Sequence, residues 1–463
     1  MARALAAALV AGATALALGQ PGPRPIRFEG ARILTGDGSA PVEDGVLLVR
    51  GDRIEAAGAR DRVPTPPDAV RVDLAGKTVL PAFVNVHVHI GYEGYATWGA
   101  ANHTPANVLD HLQRSAYYGT AATTSVGSSP LDQMFDVQAG QRAGRLPPAA
   151  RLLFMPGFAP PDGGPDHVLR EATRERRVVV EVERADQARA EVARVAGLGL
   201  RHVKMWVDDR NGTYPKLAPD VYGAIVEEAH QRRMRVHAHA IRLADQKAVL
   251  AAGADVLVHM VQREPLDEAF LTLLRERRPY WATVIGLGDP TEVCRPDPFF
   301  DAVMPPSVVA RIRATTERVP LAPSCGPPPA SSAERERQMA INFPKYLAAG
   351  ARVVLATDTG IHPGHTFGSG EHVEIARWVQ LGMTPAEAIV AATSRPAELM
   401  GLDDLGTLAG GKRASFLVLD ANPLDDIRNT RRIADVYLDG RRLDRAALRA
   451  AFARERPAAP AGR

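Results

Sequence analysis

The stretch that decides the fold is Thr78-Val79-Leu80-Pro81-Ala82-Phe83-Val84-Asn85-Val86-His87-Val88-His89. Its apolar run is typical of a strand that enters a buried core. Because side chains alternate along a strand, His87 and His89 point to the same face, about 7 Å apart. Two imidazoles at that spacing can share one metal ion. An isolated pair can also be two buried or surface histidines, so the metal hypothesis needs further ligands.

Strand-like and helix-like segments alternate after this stretch, which indicates βαβ units with parallel strands. A doubly wound sheet is one possible arrangement, but eight strands over about 300 residues fit a (β/α)8 barrel better. The strands are predicted at Phe83–His89, Thr123–Val126, Leu152–Met155, His202–Val207, Val236–Ala240, Val256–Met260, Tyr280–Ile285 and Val353–Asp358.

The two ends of the chain carry short β-like runs between Gly and Asp turns. These runs predict one small β-sandwich made from residues 24–80 and 403–443, with the barrel at 81–402. Residues 444–463 are expected to be a frayed C-terminal tail. Two segments rich in Pro and Gly, 156–177 and 286–335, are predicted to be loops over the site.

Candidate ligands lie in the later strands, whose carboxyl ends form the catalytic face of a barrel. Imidazole and carboxylate groups suit Zn²⁺ or a similar ion. The candidates are Lys204 in the fourth strand, His237 and His239 in the fifth, His259 in the sixth and Asp358 in the eighth. His237 and His239 share a strand face, so either could be the ligand. The ammonium group of Lys204 would repel a metal ion unless it were carboxylated and bridged two ions.

In combination, these motifs resemble the amidohydrolase superfamily, and in particular the imidazolonepropionase-related branch that includes prolidase-like dipeptidases. The resemblance covers about residues 26 to 442. It rests on Leu80–His89, Val203-Lys204-Met205, Val236-His237-Ala238-His239-Ala240, Thr357-Asp358-Thr359-Gly360 and the runs 382–388 and 406–416.

The resemblance implies a barrel that binds two divalent ions, expected to be Zn²⁺, with N6-carboxylated Lys204 as the bridge. The implied ligands are His87, His89, Lys204, His237, His259 and Asp358. The family's Val-His-Ala pattern selects His237 and leaves His239 beside it. Asp358 would also be the general base and acid. Tyr214, His239, His362 and His365 are candidates for substrate contact.

The predicted activity is hydrolysis of an amide or peptide bond, including that of a dipeptide, by a metal-activated water. One alternative is a mononuclear deaminase, or a cyclic amide or lactone hydrolase, of the same fold. Deaminases of this superfamily carry a glutamate shortly after the fifth-strand histidine, whereas here no acid follows His237 before Asp245. A second alternative is a non-catalytic exported binding protein. The expected partners are a small-molecule substrate, whose class the sequence does not name, and further copies of the chain.

The composition is that of a soluble globular protein, with 46% hydrophobic and 24% charged residues. A net charge of +3, without any block of basic residues, argues against nucleic acid as a partner. Cys294 and Cys325 are the two cysteines of the chain. An exported protein could pair them, but two free thiols remain open.

The N-terminus resembles a secretory signal. Met1-Ala2-Arg3 precedes an apolar stretch from Ala4 to Leu18, followed by Gly19-Gln20-Pro21. The stretch is short for a stable membrane span. An Ala-rich helix or a retained anchor is the alternative. We therefore expect residues 1–20 to be a signal peptide and the protein to be periplasmic or extracellular.

The mature protein is expected to lack about the first 20 residues, because signal peptides are cleaved during export. N-terminal sequencing of protein from its native host tests this prediction. Protein that begins at Met1 or Ala2 in a cytosolic fraction would contradict it.

Overall fold

The computed structural model describes residues 23–286, 293–315, 325–326, 330–362, 364 and 367–455. Its strands are β1 (Ile26–Ile33), β2 (Val42–Arg50), β3 (Arg53–Ala59), β4 (Val70–Asp73), β5 (Thr78–Pro81), β6 (Phe83–Val88), β7 (Thr120–Val126), β8 (Arg151–Met155), β9 (Gly157–Ala159), β10 (Val179–Glu181), β11 (His202–Trp206), β12 (Arg235–His239), β13 (Val256–Val258), β14 (Tyr280–Ala282), β15 (Arg352–Val354), β16 (Phe416–Leu419), β17 (Ile433–Leu438) and β18 (Arg441–Arg442).

Helices follow most of the central strands. They are α1 (Pro105–Tyr117), α2 (Leu131–Arg142), α3 (His167–Arg176), α4 (Ala185–Gly197), α5 (Pro219–Gln231), α6 (Leu243–Ala251), α7 (Glu268–Arg277), α8 (Pro298–Asp301), α9 (Pro306–Ala314), α10 (Ala330–Ala348), α11 (Gly370–Gln380), α12 (Pro385–Ala392), α13 (Ser394–Met400) and α14 (Arg445–Phe452). Several begin with proline, which suits the first helical turn because its missing N–H has no partner there. Among the described residues, no helix has the length and apolar character needed to cross a lipid bilayer.

The β-sandwich domain combines both ends of the chain. Its strands pair in the order β18-β17-β16-β5-β1-β2-β3, with β4 on β1. The antiparallel pairing of β16 with β5 joins the C-terminal strands to the N-terminal ones. Phe28, Phe416 and Tyr437 meet in the core, where the rings of Phe416 and Tyr437 stack with centroids 4.5 Å apart. The predicted origin of this domain from both chain ends is confirmed.

The central segment forms a (β/α)8 barrel of parallel strands, as predicted. Its third strand is interrupted at Pro156, so β8 pairs with β7 while β9 pairs with β11. Strands β11 to β15 then follow in order. The first strand closes the ring, because the backbone N–H of Val86 donates to the carbonyl of Leu355 (2.8 Å) and that of His89 to the carbonyl of Thr359 (2.7 Å).

The last three barrel strands end earlier than the apolar runs predict. Strands β13, β14 and β15 stop at Val258, Ala282 and Val354. Just beyond them, His259, Val284 and Asp358 have φ angles of 73°, 50° and 56°. This left-handed backbone cannot continue a strand, and it is uncommon for residues other than glycine. The backbone therefore turns sharply at the mouth of the barrel.

The segments predicted as loops contain regular elements. Residues 156–177 include β9 and α3, and residues 286–335 include α8, α9 and the start of α10. The expectation of a frayed tail is wrong for α14. Leu448 and Phe452 lie four residues apart on one helix face and pack against the barrel, with Phe452 beneath the guanidinium of Arg114.

Cys294 and Cys325 form a disulfide with their Cα atoms 5.4 Å apart. This bond ties the segment before α8 to the segment that precedes α10. The predicted signal peptide lies outside the described residues, so export remains a prediction.

Candidate metal centre

His87, His89 and Asp358 form a buried group at the barrel mouth. The backbone brings them together, because the N–H of Asp358 donates to the carbonyl of His87 (2.9 Å). Oδ1 of Asp358 lies 3.1 Å from Nε2 of His87 and 2.8 Å from Nε2 of His89. One donor atom from each side chain lies within 4.8 Å of the others. These three atoms can therefore coordinate a single cation.

Neighbouring polar groups hold this arrangement in place. The backbone N–H of His87 donates to Oδ1 of Asn85 (3.0 Å), and Nδ1 of His89 lies 2.8 Å from Oγ of Ser128. Hydrogen bonds of this kind orient ligating side chains. Gly360 lets the Asp358 segment pass close to the first strand, because a Cβ there would lie 2.1 Å from the carbonyl oxygen of His89.

A second pair of histidines lies beside this group. Nε2 of His259 is 2.8 Å from Nδ1 of His239 and 4.0 Å from Oδ2 of Asp358. Lys204 is buried nearby, with 1% of its surface exposed, and its charge acts on both histidines and on Asp358. The structure thus places His259 and Lys204 beside His87, His89 and Asp358, with His239 in direct contact with His259 where His237 was expected. The charges of Lys204 and His87 also reach His237.

His237 faces a different neighbour. Its Nε2 lies 3.1 Å from Nδ1 of His202. In the β11–β12 ladder His237 is opposite Lys204, whereas His239 is opposite Trp206, two residues nearer the mouth. Both histidines point to the same side of β12, so their depth in the barrel decides which one meets His259. The geometry therefore favours His239 over His237 as the fifth-strand ligand.

The protonation states suit cation binding. Burial, followed by the charge of Lys204, lowers the pKa of His87 to about 3. Burial also holds the pKa values of His239 and His259 well below the usual range. Although burial opposes its ionisation, Asp358 keeps a pKa well below the usual range through its interactions with His87 and His89. Neutral imidazoles and an ionised carboxylate are the donor set that Zn²⁺ prefers.

Burial lowers the pKa of Lys204 to about 7, against the opposing effect of Asp358. Part of the amine is therefore unprotonated near neutral pH. An unprotonated amine can react with CO₂, which an ammonium group cannot do.

A cavity of about 680 Å³ opens above the second histidine pair. His239, His259 and Asp358 contribute to its lining, together with apolar side chains that include Ile241 and Met260. A small molecule in this cavity can reach the buried donor atoms.

Two residues that the sequence reasoning missed also line this cavity. Asp208 has Oδ2 2.9 Å from Nε2 of His239, and Arg210 forms ion pairs with Asp208 and with Asp166, whose Oδ1 lies 2.7 Å from the Arg210 Nε. Their position in the sequence could have revealed them, because Asp208 and Arg210 lie just after β11. Barrels place functional residues at the carboxyl ends of their strands.

The residues predicted to contact a substrate lie in different surroundings. Tyr214 stacks with the guanidinium of Arg170, which lies 4.1 Å from the ring centroid. His362 is buried, and burial lowers its pKa against the opposing charges of Asp166 and Asp358. His365 lies outside the described residues.

The fold and the donor groups define a barrel protein with a candidate metal centre at its mouth and a β-sandwich from both chain ends. The amidohydrolase family model matches residues 78–443, and the chain belongs to this family.

The chain is similar to relatives and solved structures that carry several different names. The imidazolonepropionase of Deinococcus radiodurans is 36% identical over 103 residues, a match that spans 21% of this chain and only 25% of that relative. A 5-methylthioadenosine/S-adenosylhomocysteine deaminase of Symbiobacterium thermophilum is 25% identical over 418 residues, or 85% of each chain. The crystal structure of a Xaa-Pro dipeptidase with bound methionine has a similar fold, with a TM-score of 0.69, 21% identity and coverage of 90% of this chain and 99% of the other.

Substitution of each histidine tests whether His239 or His237 is the metal ligand. His239→Gln is expected to remove about one metal ion per chain, because Gln lacks the imidazole donor. His237→Gln is the matched control and should keep the wild-type metal content. Elemental analysis of the purified proteins, with circular dichroism to confirm folding, measures both. The reverse pattern would restore His237 as the ligand.

Proposed function

We propose that this protein is a metal-dependent hydrolase that cleaves C–N bonds, amide or peptide, in small molecules. The observation that carries the proposal is the buried group of His87, His89 and Asp358 beside His239 and His259, open to a cavity of about 680 Å³. The names of the imidazolonepropionase and dipeptidase relatives support the same reaction class.

His87, His89 and Asp358 would hold one divalent ion, and His239 and His259 a second one. When bound, such ions lower the pKa of a water molecule and polarise a scissile carbonyl. Lys204 would lie between them as a carbamate, formed when its neutral amine adds to CO₂ and releases a proton. The lowered pKa of Lys204 supports this modification, since it supplies the neutral amine.

Asp358 is the residue we propose to move protons. Its Oδ1 faces the imidazoles of His87 and His89, which leaves Oδ2 toward the side of His259 and the cavity. Oδ2 would accept a proton from the attacking water and later deliver it to the leaving nitrogen. Burial lowers the pKa of His87 and of His259, so neither imidazole competes as a protonated acid near neutral pH.

A deaminase is the second candidate, favoured by the similarity over 85% of the chain to a relative with that name. Against it, the first acid after His239 is Asp245, whose Oδ1 lies 2.8 Å from Nζ of Lys216. A carboxylate held by a lysine is poorly placed to shuttle protons to a ring.

A substrate panel tests the proposal. The metal-loaded protein is incubated with dipeptides (Xaa-Pro types included), N-acyl amino acids, lactams, lactones and aminopurine nucleosides, and the release of amine, acid or ammonia is measured. Cleavage of an amide or peptide, abolished by a chelator, is the expected result. Ammonia from aminopurines alone would favour the deaminase, and a metal-loaded protein inert to the whole panel would favour a binding protein.

Asp358→Asn is expected to leave the protein folded but to lower turnover by about 100-fold or more, the usual effect of losing a general acid and base. Asn tolerates the left-handed backbone of position 358, so the barrel mouth should keep its shape. The turnover number, measured alongside metal content and circular dichroism, checks this. Near wild-type turnover would remove Asp358 from the proton-transfer role.

Lys204→Ala is expected to lose both metal and activity, because no carbamate can then form. Lys204→Arg should not restore either, since a guanidinium does not form the carbamate, whereas added short carboxylic acids should restore part of both in Lys204→Ala. Metal analysis and hydrolysis assays measure these outcomes. Intact binding of two ions by Lys204→Ala would show that the lysine is not a bridge.

A further inference from the structure

Asp208 lies where it can control the ring of His239. Its side chain is fully buried, and Oδ2 is 2.9 Å from Nε2 of His239. The backbone N–H of Arg210 donates to Oδ1 of Asp208 (2.9 Å), so the turn after β11 holds the carboxylate in place. Asp208 therefore presents one fixed oxygen to the imidazole on the side away from His259.

The same ring nitrogen has a competing neighbour. Nη1 of Arg210 lies 2.6 Å from Nε2 of His239. A guanidinium can only donate a hydrogen bond, a carboxylate can only accept one, and a neutral imidazole carries a single N–H. The position of that hydrogen therefore decides whether His239 bonds to Arg210 or to Asp208.

Each tautomer of His239 satisfies a different set of neighbours. With the hydrogen on Nδ1, the ring donates to Nε2 of His259, 2.8 Å away, and Nε2 accepts from Arg210. With the hydrogen on Nε2, the ring donates to Asp208 and turns the Nδ1 lone pair toward His259. Nε2 of His259 then either donates its own hydrogen to this lone pair or, when its hydrogen is on Nδ1, presents a second lone pair. In the latter arrangement the two nitrogens can share a cation.

We propose that Asp208 is a positioning residue that accepts the Nε2 hydrogen of His239 and so presents Nδ1 to a divalent cation shared with His259. The proposal rests on the metal centre of the proposed function. Arg210, held on its other side by Asp166, is the partner of His239 when no cation is bound. A histidine that binds metal typically gives its other N–H to a carboxylate or carbonyl, and loss of that acceptor weakens metal binding about 10- to 100-fold.

Titration of the metal-free full chain with Zn²⁺ by calorimetry tests this role. Asp208→Asn is expected to weaken the binding of one ion by about 10- to 100-fold. Asp166→Asn is the matched control, since it removes the other carboxylate from Arg210 without touching His239, and it should bind Zn²⁺ as the wild type does. Arg210→Gln removes the competing donor and should bind Zn²⁺ equally or more tightly.

The visible absorption of Co²⁺-loaded protein adds a readout of the ligands themselves. In Asp208→Asn at saturating Co²⁺, the bands should shift because the imidazole of His239 is no longer oriented, whereas Asp166→Asn should keep the wild-type spectrum.

Three results would overturn the proposal: wild-type affinity in Asp208→Asn, equal weakening in Asp208→Asn and Asp166→Asn, or weakened binding in Arg210→Gln. If circular dichroism shows that Asp208→Asn does not fold, the Zn²⁺ affinity of Arg210→Gln decides whether the proposal stands. Because Zn²⁺ alone is the probe, the outcome does not depend on whether the protein hydrolyses any amide. Failure of the substrate panel is thus distinguishable from failure of this proposal.

Discussion

The buried carboxylate of Asp358 is the constraint on which the rest of the site depends. Only 3% of its side chain is exposed, and a charge removed from water must be compensated by other charges or hydrogen bonds. The imidazoles of His87 and His89 contact Oδ1, and His259 lies near Oδ2. Burial lowers the pKa of His87 and of His259, so these imidazoles compensate the charge only in part, and a divalent cation would complete the compensation. The chemistry of the donor set and the burial of Asp358 therefore point to the same kind of ligand.

This arrangement requires strained backbone at the mouth of the barrel. His259, Val284 and Asp358 all have left-handed backbone at the mouth, although none is a glycine and Val284 is β-branched. Such conformations persist only where the surrounding structure holds them, and they cluster at functional sites. Here the closing hydrogen bonds between the first strand and the segment after β15 hold Asp358, and Gly360 provides the space for that segment.

A layer of polar groups around the donors sets their orientation. Asn85 and Ser128 support the first histidine pair, and Asp208 and Arg210 lie against the second. Arg210 also links the β11 turn to Asp166, which precedes α3 in the segment predicted to be a loop over the site. The two histidine pairs are thus supported by different parts of the chain, which meet at Asp358.

Local sequence was sufficient for the strand and helix alternation, the sandwich from both chain ends, and the groups His87, His89 and Asp358, because periodicity and strand-end position are local properties. It was insufficient for the early ends of β13, β14 and β15, since the left-handed backbone beyond them, at His259, Val284 and Asp358, leaves no mark in the pattern. The sequence also did not predict α14, because Phe452 becomes buried only when the barrel provides Arg114 as a neighbour.

The sequence could not decide whether His237 or His239 is the fifth-strand ligand, because both side chains point to the same side of β12. Only the tertiary structure, through the register of β12 with β11 and the distance across to His259, decided which imidazole lies against His259 and that Asp208 lies behind it.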